Sequence, residues 1–249
     1  MALLENKVAI ITGGACGIGE GTARFFAENG ARVVILDLDQ TRAATVAADI
    51  VAQGGLALAF GSDVRRPETI RPAVGRTLDE FGRIDILINN AGIYPRRLFL
   101  EMTEAEWDEM FDINLKGIFH TTKLVAPHMV LQRSGKIVNI SSVTFFEGSA
   151  NLSHYVATKG GVIGFTRSLA RELGPYNVSV NCITPGAIEV EREKSVATPE
   201  EIAAIVSRQC LSRRLQPLDV ARVCLFLSCE LSAAMTGQTL NVDGGLYMH

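Results

Sequence analysis

Two hydrophobic periods alternate along the chain. KVAIIT (7–12), RVVILD (32–37), LALAF (56–60), IDILIN (84–89), KIVNIS (136–141) and VSVNCI (178–183) are short, largely β-branched runs, which predict strands buried on both faces of a parallel sheet. Between them, residues 17–29, 40–53, 67–81, 104–131, 153–173 and 217–229 carry apolar positions at helical spacing. Strand and helix in this alternation require right-handed crossovers. The expected fold is α/β, a single doubly wound parallel sheet of about seven strands with helices on both faces. Local signals agree: TEAE at 103–106 is a capping box, and Thr198-Pro199 followed by Glu201 starts a helix with proline at its first position. No linker or repeat interrupts the pattern, so residues 1–249 are expected to form one domain.

The rhythm breaks after residue 186. AIEVEREKSVATPEEIAAIVSRQCLSRR is charged at first, including EVEREK at 189–194, then amphipathic through Ile202, Ile205 and Val206. It follows the sixth strand, at the sheet edge where ligands bind in such folds. Residues 187–212 therefore read either as a movable lid over a substrate or as a plain surface helix.

Composition narrows the function. Of 249 residues, 47% are hydrophobic and 20% charged, with a net charge of −3. That balance argues against nucleic-acid and membrane-surface partners. The start, MALLENKVAIITGG, leaves no room for a secretory leader, and no apolar run approaches the roughly 18–20 residues of a membrane span. The cysteines Cys16, Cys182, Cys210, Cys224 and Cys229 are odd in number and form no CxxC pair. Reduced thiols in a cytoplasmic protein without a metal site fit best, and Cys224 and Cys229 read as core residues.

Candidate chemistry begins at TGGACGIG, which follows the first strand and opens the first helix. In that context Gly13 permits the tight turn, while Gly17 and Gly19 let backbone approach a pyrophosphate at the helix N-terminus. The spacing G-x-x-x-G-x-G departs from the commoner G-x-G-x-x-G. Asp37 ends the second strand, where an acid accepts hydrogen bonds from an adenosine ribose and repels a 2′-phosphate. NAD is favoured over NADP. Cys16 supplies no positive charge in the glycine loop; the nearest cation, Arg42, is expected on the outer face of its helix. Asp63 reads either as a contact to an adenine edge or as a helix cap.

Tyr155 and Lys159, in HYVATKGG, share one helical face about a turn apart. They form either a solvated pair or an acid tuned by a cation. A free phenol has a pKa of about 10, and a cation within about 4–6 Å lowers it by about 1–3 units. Ser142, at the end of the fifth strand, is placed to hold a substrate oxygen. Asn114 is placed to interrupt hydrogen bonding within 104–131 and hold a water leading to Lys159.

These residues occur with N-N-A-G at 89–92, N-L-K-G at 114–117, N-I-S-S at 139–142, Y-V-A-T-K at 155–159, P-G at 185–186 and G-Q-T-L-N-V-D-G-G at 237–245. The whole chain resembles the short-chain dehydrogenase/reductase family, with its Rossmann-like fold. The resemblance implies a catalytic set of Asn114, Ser142, Tyr155 and Lys159: Tyr155 as acid/base, Ser142 polarising the carbonyl, Asn114 anchoring a relay water. Lys159 would lower the tyrosine pKa and bond the nicotinamide ribose. It implies further NAD contacts at Cys16, Ile18, Leu38, Val64, Asn90, Ala91, Gly92, Pro185, Gly186 and Ile188. It also implies a homotetramer, for which Val162, Phe165 and Leu169 offer an apolar face unless the core takes them. Val190 stands where many members carry a threonine that holds the cofactor, a grip that Glu189 or Glu191 would have to replace.

The motifs come nearest to members acting on small aromatic or cyclic alcohols. Tyr94, Thr144, Phe145 and Phe146 are the candidate substrate residues; the three aromatics equally suit a core or an interface. The expected activity is hydride transfer between NAD(H) and a small alcohol or ketone. A sugar or polyol dehydrogenase, a 3-oxoacyl reductase (disfavoured by Asp37) and a non-catalytic dinucleotide-binding scaffold are the alternatives.

Overall fold

The computed structural model describes residues 2–191 and 198–248. Seven parallel strands form one sheet: β1 (Val8–Thr12), β2 (Arg32–Asp37), β3 (Leu56–Gly61), β4 (Ile86–Asn89), β5 (Gly135–Ile140), β6 (Val178–Pro185) and β7 (Thr239–Val242), in spatial order β3-β2-β1-β4-β5-β6-β7. Thr12 at the end of β1 registers with Leu36 on one side and Asn89 on the other. The chain runs outward from β1 through β2 to β3, then crosses back to β4 on the other side of β1, which opens a crevice at the carboxyl ends of β1 and β4.

Alternation along the strands supplies two cores. Ala9, Ile11, Val33 and Ile35 point to one face and pack with Phe26 of α1 (Gly17–Glu28), Val46 of α2 (Gln40–Ala52) and Val220 of α9 (Pro217–Ser228). Ile10, Val34 and Leu36 point to the other and meet Ile70 of α3 (Pro67–Phe81), Val125 of α5 (Gly117–Gln132) and Ala170 of α7 (Ser153–Leu173). Full burial of each valine, leucine, isoleucine or phenylalanine among them stabilises the fold by about 1.5–3 kcal/mol.

LALAF does not form the expected doubly buried strand: β3 is the sheet edge, and Leu56 is 53% exposed. The 104–131 stretch is interrupted at Asn114, as expected: α4 (Glu104–Phe111) is joined to α5 by a π-helical segment, Asp112–Lys116, centred on the fully buried Asn114. The apolar face of α7 is largely spent inside the chain: Val162 is fully buried with Ile118 and Cys182, and Phe165 and Leu169 pack beside the core. Core packing, not a subunit contact, accounts for Val162. Cys224 and Cys229 are core residues, as expected.

Both capping boxes form. Thr103 and Glu106 exchange hydrogen bonds at the start of α4. Thr198 and Glu201 do the same at α8 (Pro199–Arg208). No side chain of α8 is fully buried; Arg96–Glu201 (3.4 Å) and Arg208–Glu147 (3.2 Å) tie its two ends to the body. Of the stretch proposed as a lid, and of EVEREK, residues 192–197 lie outside the described residues. Among the described residues no helix is long and apolar enough to cross a membrane.

Candidate active site

The glycine loop is built on steric necessity. Gly13 has φ +64°, and a Cβ there would sit 2.8 Å from Ala91 Cα. Asn90, from the β4 loop, donates through Nδ2 to the carbonyls of Thr12 (3.1 Å) and Gly13 (3.0 Å), so β1 and β4 are stitched at the crevice. Thr12 Oγ1 accepts from the N–H groups of Asn90 and Ala91 at 3.0 and 3.1 Å. Gly19 is a steric necessity too: a Cβ there would run into the Gly13 carbonyl and Asn90 Nδ2, so its bare backbone lets α1 close onto the loop. Gly17, at φ +55°, lies against Val190.

Cys16 is the N-cap residue of α1, with Ile18 beside it in the first turn. Asp37 accepts from the Ala15 N–H and the Asp39 N–H, each at 3.0 Å, which sets its carboxylate at the rim of the loop. Leu38 follows, with its side chain in solvent. Asp63 caps no helix. Arg66 precedes α3, and Asp63 pairs with Arg65 at 2.7 Å, which holds its carboxyl below the usual range. Val64 is buried against Gly117, and its carbonyl meets His120 Nδ1 at 2.9 Å.

The second group of residues meets at the carboxyl end of β5. Lys159 is 4% exposed and donates from Nζ to the Ile140 carbonyl at 2.9 Å. Its Nζ lies 5.4 Å from the centre of the Tyr155 ring. The Tyr155 hydroxyl hydrogen-bonds Ser142, and Tyr94 meets the Tyr155 ring edge-on with centroids 6.2 Å apart. Ser142 Oγ accepts from Thr144 twice, from N–H at 3.2 Å and from Oγ1–H at 3.0 Å. Ser141 Oγ donates to the Lys159 carbonyl at 2.8 Å, pinning α7 to β5.

The electrostatics depart from expectation. Burial pushes the Tyr155 phenol up to about 12, against a smaller lowering by Ser142. Burial also pulls Lys159 down to about 8. The ammonium a turn away does not acidify the phenol in the protein alone, because removing both groups from water penalises the phenolate and the ammonium alike.

Asn114 spends its amide on the β4 loop: Oδ1 accepts from Ile93 N–H and Nδ2 donates to the Ile93 carbonyl, both at 2.8 Å. That bond holds the main chain between Gly92 and Tyr94. The P-G segment is equally fixed. Gly186 N–H donates to Val242 at 3.0 Å, the Pro185 carbonyl accepts from Val143 N–H at 3.1 Å, and the Ile188 side chain is buried beside Leu215. Neither acid flanking Val190 is free: Glu189 accepts from Gln216 (2.6 Å) and Glu191 pairs with Arg42 (3.0 Å).

Residues 13–247 match the family model described as enoyl-(acyl carrier protein) reductase. The chain is 39% identical over 243 residues to a 3-oxoacyl-acyl-carrier-protein reductase of Thermotoga maritima, covering 98% of each. It is 39% identical over 246 residues to a probable galactose dehydrogenase of Rhizobium meliloti, covering 98% of this chain and 96% of that one. The chain belongs to the short-chain dehydrogenase/reductase family. A solved 7α-hydroxysteroid dehydrogenase, complexed with NADH and 7-oxo glycochenodeoxycholic acid, matches this dehydrogenase/reductase at TM-score 0.94 and 35% identity, over 97% of this chain and 94% of that one.

The structure of this short-chain dehydrogenase/reductase groups Ser142, Tyr155, Lys159 and Tyr94, and sets Thr144 behind Ser142. The two phenylalanines follow Thr144 in the chain and pack against α7. Phe146 packs with Val162 and Ile163, and Phe145, 43% exposed, lies over Gly160 of α7. Thr12 and Ser141 are the residues sequence reasoning passed over. Both stand inside motifs it had quoted, but their work is done by hydrogen bonds to distant main chain, which no local spacing announces.

Proposed function

We propose that the protein is an NAD-dependent oxidoreductase interconverting a small secondary alcohol, cyclic or aromatic, with its ketone. The observation that carries this proposal is the meeting of Ser142, Tyr155 and Lys159 beside Tyr94, on the sheet edge that also bears the glycine loop and Asp37. The residues suit a dinucleotide: a Cβ at Gly13 would foul the loop that borders the crevice, and α1 presents its N-terminal amides there. Asp37 suits a ribose bearing free hydroxyls and repels a 2′-phosphate. A bound nicotinamide would accept or deliver the hydride.

The chain itself supplies the proton. Tyr155, with its pKa at about 12, is a neutral phenol near neutral pH and so a proton donor to a carbonyl oxygen. Thr144 occupies the acceptor capacity of Ser142 Oγ with two donors, leaving the Ser142 proton to be given to Tyr155 or to the substrate oxygen. Lys159 remains charged below about pH 8 and favours the phenolate that forms as Tyr155 gives up its proton. Asn114 holds the loop that carries Tyr94, and a relay water leading from it to Lys159 belongs to the same proposal. Helix α8 serves as the substrate lid within a single domain. A cytoplasmic homotetramer completes the proposal; five cysteines that form no disulfide among the described residues agree with a reducing compartment.

A 3-oxoacyl reductase is the second reading, favoured by the names of several relatives at about the same identity. One screen separates the two: cyclic and aromatic secondary alcohols, polyols and a 3-oxoacyl thioester, each with NAD(H) and NADP(H), followed at the absorbance of the reduced nicotinamide. Turnover of small alcohols with NAD supports the proposal; turnover confined to the thioester with NADPH refutes it.

A further inference from the structure

Arg42 does not lie idle on the outer face of α2. Its main-chain N–H donates to the Asp39 cap at 3.0 Å, which places its side chain in the first turn after β2, five residues beyond Asp37. From there it reaches across the crevice to Glu191, in the loop after β6, at 3.0 Å. Arg42, Glu191, Val190, Gly17 and Glu20 line an open cleft of about 320 Å³ outside the glycine loop. The guanidinium lies within electrostatic reach of Cys16 and Glu20 as well as Glu191. Glu20 is itself engaged by Arg24 at 2.9 Å, so Glu191 is the acid that neutralises Arg42.

A cation within reach of Cys16, outside the glycine loop, is what a ribose 2′-phosphate needs. Such a phosphate carries about −1.5 to −2 charge and takes a guanidinium in a forked, charge-assisted pair. We infer that Glu191 is a cofactor-specificity residue: by holding Arg42 it withholds from NADP a cation that lines the cleft outside the glycine loop, reinforcing the repulsion by Asp37. This inference rests on the dinucleotide reading above. It adds to that reading a selector contributed from the far side of the crevice, some 150 residues along the chain (149 positions from Arg42). Both side chains are well exposed, at 50% for Arg42 and 77% for Glu191, so the selector is of modest strength.

Calorimetric dissociation constants for NAD and NADP test it without reference to turnover, in the wild type, in Glu191→Gln and in the double variant Arg42→Gln/Glu191→Gln. Glu191→Gln is expected to tighten NADP relative to NAD by about fivefold, the upper range for one exposed ion pair. The double variant is expected to abolish that gain. An unchanged ratio in Glu191→Gln, or a gain that survives the loss of Arg42, overturns the inference alone. A wild-type chain that binds neither dinucleotide overturns the functional reading and this inference with it.

Discussion

Lys159 holds its ammonium 5.4 Å from the centre of the Tyr155 ring while donating to the Ile140 carbonyl at 2.9 Å. Proximity of that kind ordinarily acidifies a phenol, yet burial dominates here and moves the two groups apart, Tyr155 up to about 12 and Lys159 down to about 8. The pair is poised as a neutral proton donor beside a cation that is costly to keep charged. Functional sites often carry such a cost in stability.

That cost is measurable. Lys159 has a folded pKa of about 8 against 10.5 in the open chain, so the folded state binds fewer protons between those values. Its penalty is full below about pH 8 and disappears as pH rises to 10.5. Lys159→Met is therefore expected to stabilise the protein by roughly 2 kcal/mol at pH 7, with the margin shrinking above pH 8, while turnover collapses. Urea midpoints across that pH range check it. A margin that does not change with pH would contradict the assignment.

The same titration predicts the rate profile of carbonyl reduction. Below about pH 8 both the neutral phenol and the ammonium are present, and above it Lys159 loses its charge. The reductive rate should be flat through neutrality and fall above about pH 8; a rise there would be inconsistent with Tyr155 as donor.

Thr144 offers a test of orientation. Thr144→Val keeps the shape and removes the Oγ1–H that Ser142 Oγ accepts at 3.0 Å. Turnover should fall by about fivefold with little change in dinucleotide affinity, since one neutral hydrogen bond is worth about 1 kcal/mol. Equal losses in affinity and turnover would place Thr144 in binding, not in positioning Ser142.

Asp37→Ala removes the acid at the end of β2. The preference for NAD over NADP, measured as a ratio of kcat/KM values, should narrow by about tenfold or more. Stability should drop slightly as well, because the carboxylate bonds to Ala15 and Asp39 N–H groups are lost. Unchanged discrimination would remove Asp37 from cofactor selection.

Strand and helix order, the glycine loop and the Tyr155–Lys159 spacing were all legible in the sequence because each is a local pattern. What escaped depends on partners from elsewhere. The direction of the Tyr155 shift follows from burial beside Ser142 and Tyr94, contributed by β5 and by the loop after β4. The steric constraint at Gly19 depends on the Gly13 carbonyl and on Asn90, and the role of Arg42 on a glutamate beyond β6. LALAF lost one of its expected neighbours because β3 ends the sheet, a matter of strand order and not of composition.

Tyr155→Phe is the most direct measurement of the central claim, that the phenolic hydroxyl carries the proton. The substitution keeps the ring against Tyr94 and removes only the oxygen beside Ser142. Turnover is predicted to fall by about 10²–10⁴-fold, with NAD affinity held within about twofold. Activity retained near the wild-type level, in a variant that still binds NAD, would contradict the account.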